Sequence, residues 1–133
     1  MASELRVNTL KDAAGSNEVA MTYVANGSAK CWVLFQGTGT VAINDSLNTA
    51  SISDVGTGQY TVNFSNSMGS AFYSGIGSPK QDTSGTHTSN VDRLMNPARV
   101  PLLSSDMKFH AQSVTGTDSD VEEGAVHIMG DLA

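Results

Sequence analysis

An all-β fold, an antiparallel β-sandwich of jelly-roll-like character with short strands and one long loop, is what this sequence predicts. Three observations predict it. The 133 residues are only 39% hydrophobic and 15% charged, and the gap is filled by 17 Ser, 12 Thr, 9 Asn and 13 Gly. Those types are poor helix formers, whereas Thr and Val suit strands and Gly, Asn and Ser suit turns. Apolar residues recur in short alternating runs rather than at helical spacing. Turn signals separate these runs at close intervals, the pattern of a sandwich or barrel.

Taken in order, residues 1–15 form a lead-in strand in which Leu5, Val7 and Thr9 alternate with Arg6, Asn8 and Leu10. Residues 18–24 read as a strand, and Asn26-Gly27 as the hairpin turn after it, because both types tolerate positive φ. The return strand, 30–36, has Trp32 and Leu34 on one face and Cys31, Val33 and Phe35 on the other. Apolar side chains on both faces predict a central strand buried on two sides, with Trp32 mostly buried. Gly37-Thr38-Gly39-Thr40 turns the chain into a strand at 41–44, and another strand follows at 48–53, centred on Ile52. After the Gly-bearing loop 54–58, residues 59–65 alternate cleanly. Tyr60, Val62 and Phe64 point inward, and Gln59, Thr61, Asn63 and Ser65 outward. Residues 71–76 continue the meander. Residues 78–106 differ: they hold all three prolines, Pro79, Pro97 and Pro101, and their middle, 81–90, is nearly all polar. A loop this long is uncommon in a compact domain unless it is functional or disordered. Its apolar members, among them Met95, Leu102 and Leu103, are expected to pack on the body or on a neighbouring subunit. Closing strands at 107–113 and 125–129 flank an acidic turn, 118–124. The length is that of one domain, residues 1–133.

Composition also excludes functions. A net charge of −6 with seven Lys and Arg leaves no basic footprint for nucleic acid. No run approaches the roughly 20 apolar residues of a membrane span. Residues 1–15 lack the apolar core of a signal peptide, so synthesis in the cytoplasm is expected. A single cysteine, Cys31, cannot form a disulfide framework.

The chemistry-bearing residues are few. His87, His110 and His127 have no His or Cys partner at ligand spacing, and Cys31, mid-strand, reads as a small buried apolar residue rather than a nucleophile. Gly37-Thr38-Gly39-Thr40 lacks the Lys and the helix of a phosphate loop. Asp118, Asp120, Glu122 and Glu123 form the one dense carboxylate cluster. Their oxygens could attract Ca²⁺, but the ligand ladder is incomplete, and glycoside hydrolysis would need two carboxylates at a defined separation. No catalytic residue, cofactor or metal site is therefore expected.

One stretch is distinctive: Ala29-Lys-Cys-Trp-Val-Leu-Phe-Gln-Gly-Thr-Gly-Thr-Val-Ala-Ile, running on through Asn44-Asp-Ser-Leu-Asn48 and Ser53-Asp-Val-Gly-Thr-Gly-Gln-Tyr-Thr-Val-Asn-Phe64. It resembles a motif of tail-fibre and other virion fibre proteins of tailed phages, marine ones especially. Leu5-Arg-Val-Asn-Thr-Leu-Lys-Asp-Ala-Ala-Gly15 is similar to the lead-in that often precedes that module. The resemblance covers about half of the chain and marks residues 16–77 as a fibre-like β module. It implies a β-rich virion protein, a homotrimer, exposed at a fibre tip or capsid surface and contacting other virion proteins. Within the long loop, Gln81, Asp82, Thr86, His87, Thr88 and Asn90 are then the candidates for recognising a host surface glycan or protein. The alternative reading is a capsid decoration, cement or head-fibre protein, favoured by the small size of the chain. A glycan-degrading enzyme is the third.

Overall fold

The computed structural model describes residues 6–80, 93–97, 102–113 and 115–133. The described chain begins with an arm: strand β1 (Thr9–Lys11), strand β2 (Glu18–Ala20) and helix α1 (Met21–Gly27). β1 and β2 pair antiparallel with Lys11 opposite Glu18, and their side chains form an ion pair at 2.7 Å. The turn between them is held by Asp12, whose carboxylate accepts from the Ser16 amide (2.9 Å) and the Asn17 side chain (2.6 Å).

The helix corrects the sequence reading of a strand at 18–24 and a hairpin at Asn26-Gly27. Only Glu18–Ala20 is extended. Asn26 and Gly27 do end an element, but as the last residues of a helix whose C-cap, Ser28, is extended. The Ser28 amide donates to the Val24 carbonyl, and the Lys30 ammonium donates to the carbonyls of Ala25 and Ser28. A turn signal marks where a chain reverses, not which element it leaves.

The other eight strands are β3 (Ala29–Gln36), β4 (Ala42–Leu47), β5 (Thr49–Gly56), β6 (Gln59–Phe64), β7 (Ser74–Lys80), β8 (Arg93–Pro97), β9 (Asp106–Ser113) and β10 (Glu123–Met129). They form one sheet in the order β4-β3-β10-β7-β8-β9-β6-β5, antiparallel throughout. The all-β antiparallel expectation holds; the sandwich does not. A single sheet curls until its edges, β4 and β5, nearly meet. These edges are consecutive in the chain and are joined by Asn48 alone, which adopts a left-handed conformation (φ 54°). The seam is tied there. The Thr49 hydroxyl donates to the Trp32 carbonyl (3.1 Å) and lies 3.3 Å from the Cys31 sulfur. The Asn48 side chain accepts from the Asn66 amide at 2.7 Å. Alternation shows which residues face inward, but two facing sheets and one closed sheet share the same alternation.

The core fills the barrel. Cys31, Val33 and Phe35 from β3 meet Tyr60, Val62 and Phe64 from β6, Met107 and Phe109 from β9, and Val126 and Ile128 from β10. Phe35 and Tyr60 pack ring to ring, with centroids 5.0 Å apart. Large residues stand beside small ones on neighbouring strands, Phe35 opposite Gly124 and Met95 opposite Gly77. A Cβ on Gly124 would lie 2.4 Å from the Phe35 ring, and one on Gly77 would lie 2.5 Å from Met95. Buried Met68 and Val121 plug the two ends.

The inward set Tyr60, Val62 and Phe64 is as expected, but Thr61 is also buried. Trp32 is a correction: it is only half-buried, and Leu34 beside it is exposed. Both stand on the outer face of β3, which no second layer covers among the described residues. Within 78–106, read from sequence as a long loop, Ser78 to Lys80 complete β7 and Arg93–Pro97 form β8, which carries buried Met95. Leu102 packs against the core, and Leu103 is exposed.

Candidate recognition end of the barrel

Strand direction gives the barrel two distinct ends. β3 and β7 run away from the arm, while β4 and β10 run back toward it. One end therefore carries the turns after β3, between β5 and β6 and before β10, together with the end of β7 and the start of β8. Gln81, Asp82, Thr86, His87, Thr88 and Asn90 lie outside the described residues, in a segment that leaves this end at Lys80 and returns to it at Arg93, opposite Ser113.

The acidic turn 118–123 covers this end, and the carboxylates of Asp118 and Asp120 accept from protein donors. Asp118 accepts from the side chains of Gln112 (2.7 Å) and Gln59 (3.1 Å), with His110 Nδ1 3.8 Å away. The Gln112 bond first, then Gln59 and His110, holds its carboxyl below the usual range. Asp120 accepts from the Gly58 amide at 2.7 Å. Tyr60 reaches through the core to the same place. Its hydroxyl lies 2.9 Å from the Gly37 carbonyl oxygen, to which it donates, and 3.3 Å from Asp120 Oδ1, and it accepts from the Val121 amide at 3.2 Å. Burial above all, and the Asp120 charge with it, push the phenol up to about 12, so it stays a neutral donor. The Gly37 amide donates to the Glu122 carbonyl at 3.1 Å. Gly58 is obligatory here: φ is +67°, and a Cβ would lie 2.4 Å from the Ala111 carbonyl oxygen.

Among the described residues, no group of three or more His, Cys, Asp or Glu side chains converges as a metal site would require. Gln36, Thr38, Glu122 and Glu123 line an open cleft of about 240 Å³ beside the turn. His127 is exposed on β10, and Cys31 is buried, which pushes its thiol up. The candidates singled out in the sequence are thus dispersed: carboxylates at one end, His127 on the wall, Cys31 in the core.

The opposite end, nearest the arm, is chemically different. Tyr73 donates its hydroxyl to the carbonyls of Asp106 (2.7 Å) and Leu103 (2.9 Å), and Met68 bridges to Leu132. Around them stand Phe72, 94% exposed, with Leu103, Met129 and Leu132, all exposed. An outer row continues from this end across four strands, Leu47–Trp32–His127–Ile76, each residue directly opposite the next. Leu47 is 49% and Ile76 63% exposed. Sequence reasoning missed this surface. Its one signal was the pair of apolar faces on the Trp32 strand, read as double burial.

Comparison of the chain with protein-family models, with curated proteins and with solved structures found no match.

Proposed function

We propose that this chain is a structural protein of a tailed-phage virion, a tail-fibre-like module that acts as a homotrimer in attachment to the host receptor. The resemblance of residues 5–76 to virion fibre modules motivates the reading. The observation that carries it is the polarity of the barrel. Most of the exposed large apolar side chains lie on the arm, around the arm end or in the outer row that starts there. The other end is closed by hydrogen-bonded carboxylates, and β7 ends and β8 begins there, at Lys80 and Arg93. Apolar exposure on this scale marks an assembly surface. A polar segment on a rigid scaffold is where recognition tends to reside. One end would thus join the particle and the other would face outward.

Two measurements test this. The number of copies per purified particle separates tail from capsid: a number on the scale of the head lattice would replace this reading with that of a capsid decoration or cement protein. Replacing residues 81–90 with a short Gly/Ser linker should leave the barrel folded and abolish binding of the isolated protein to host cells. Binding at the wild-type level would refute the recognition role.

A further inference from the structure

Among the described residues, the arm is a folded piece with almost nothing to fold against. α1 buries no residue, and a seven-residue helix is too short to persist in water unaided. A two-stranded hairpin such as β1–β2 is marginal for the same reason. From Arg6 to Val19 every side chain is exposed except half-buried Thr9. Tyr23 is 75% exposed, with Val19 and Val24 exposed beside it. Ser28, extended, is the single residue between α1 and β3, so the helix leads off the start of β3 instead of lying back over it. The barrel holds a second uncovered apolar surface, the Leu47–Trp32–His127–Ile76 row with Phe72 and Met129 at its arm end.

We infer that these two surfaces meet between copies: the arm of one copy, through Tyr23 and Val24, seats on the outer face of β3, β10 and β7 of the next. This rests on the homotrimer reading above and deepens it by naming the surfaces. Charge is compatible with a second copy as the occupant. Residues 6–28 hold Arg6 and Lys11 against Asp12 and Glu18, whereas residues 29–133 hold five Lys and Arg against ten Asp and Glu. Two acidic barrels repel each other, but the arm of the same chain has no net charge over residues 6–28, and residues 19–29 carry no charge at all. Area is adequate. Phe72 and Tyr23 each offer on the order of 150–200 Å². With the aliphatic neighbours, each copy approaches the ~800 Å² a partner contributes to a standard interface. The contact joins two different patches, so it repeats head to tail, and a rotation of one third of a turn between copies closes it into the trimer.

Cysteine cross-linking tests the placement, because Cys31 is fully buried and does not compete. Tyr23→Cys protein mixed with Phe72→Cys or Ile76→Cys protein should give a covalent heterodimer with a short bis-maleimide, and Tyr23→Cys alone should not. A strong dimer from Tyr23→Cys alone would mean that arms meet arms, and would overturn the inference. Separately, Tyr23→Asp with Val24→Asp should weaken trimer formation about tenfold or more, as loss of a buried aromatic anchor does, with the melting of the barrel unchanged. Mass photometry gives the assembly readout. Wild-type protein that stays monomeric at micromolar concentration overturns both the homotrimer reading and this inference. A wild-type trimer that survives Tyr23→Asp/Val24→Asp and gives no mixed cross-link overturns this inference alone.

Discussion

Tyr60→Phe removes one oxygen atom from the acidic end of the barrel. The ring stays, so packing against Phe35 is kept, and no cavity larger than a hydroxyl opens. What is lost is a junction. The Val121 amide loses its acceptor at 3.2 Å and the Gly37 carbonyl loses its donor at 2.9 Å. Val121 is fully buried, so its amide gains no easy replacement from water. Each buried backbone group left unpaired costs about 1–3 kcal/mol. Asp120 is unaffected in this sum, since it still accepts from the Gly58 amide. With partial relaxation of the turn, a loss of about 2–4 kcal/mol is expected. Urea unfolding followed by circular dichroism reads it directly. At a slope of about 2 kcal/mol per molar for a chain of this size, the midpoint should fall by ~1–2 M with the slope unchanged. A fall of less than about 0.3 M would show that the hydroxyl does not latch the turn to the barrel.

The same phenol predicts an alkaline limit. Its value is raised in the folded state to about 12, as is that of Tyr73, so its contribution is full below the ordinary tyrosine value of 10 and is lost as pH rises through 12. Wild type should lose stability across pH 10 to 12, and Tyr60→Phe should lose less, measured as melting temperature against pH. At the acidic end of the scale, Asp118 is held low, so its contribution is present above 3.8 and disappears as pH falls through its depressed value; Asp118→Asn should flatten that part of the profile. Phe35→Ala should cost ~3–5 kcal/mol, as for a buried aromatic, while half-buried Trp32→Ala should cost only about 1–2 kcal/mol in the monomer; equal losses would mean Trp32 is core. Gly124→Val drives a branched side chain into Phe35 and should cost at least ~1–3 kcal/mol by thermal unfolding.

How far the sequence could be read depended on which physical rule each residue obeys. The strand Gln59–Phe64 was legible almost to the residue, because its inward face is buried and a one-residue slip would expose Tyr60, Val62 and Phe64 together. The strand carrying Phe109 was legible for the same reason. Closure was not. Nothing in local alternation reports that the first and last strands of the sheet order are neighbours in the chain, joined through Asn48. β8 was hidden because its five residues include Asn96 and Pro97 and carry little alternation; tertiary contact, with Met95 opposite Ala111, makes it a strand. The helix was missed because Tyr23 and Val24 look like strand residues in isolation. At the acidic turn the cluster was visible and its role was not. Whether carboxylates bind an ion or staple a turn depends on where Gln59, Gln112 and the Gly58 amide lie; Gln112 is near Asp118 in sequence, but Gln59 and Gly58 are 59 and 62 residues from the carboxylates they meet.

The position of β10 has a consequence for how the molecule is made. It is the last of the eight strands in chain order, yet it lies between β3 and β7, and its partner β3 precedes it by some ninety residues. During synthesis β3 and β7 must therefore wait, each with an unpaired edge, until nearly the whole barrel sequence has left the ribosome. Topologies of this kind fold slowly, because the entropy of closing the long loop falls due before the contacts form. In the interval the waiting edges are open to neighbouring nascent chains. Yield in the cell should then be governed by how quickly the C-terminal strand arrives. Any shortened version that stops before Glu123 would expose two strand edges and gain no barrel.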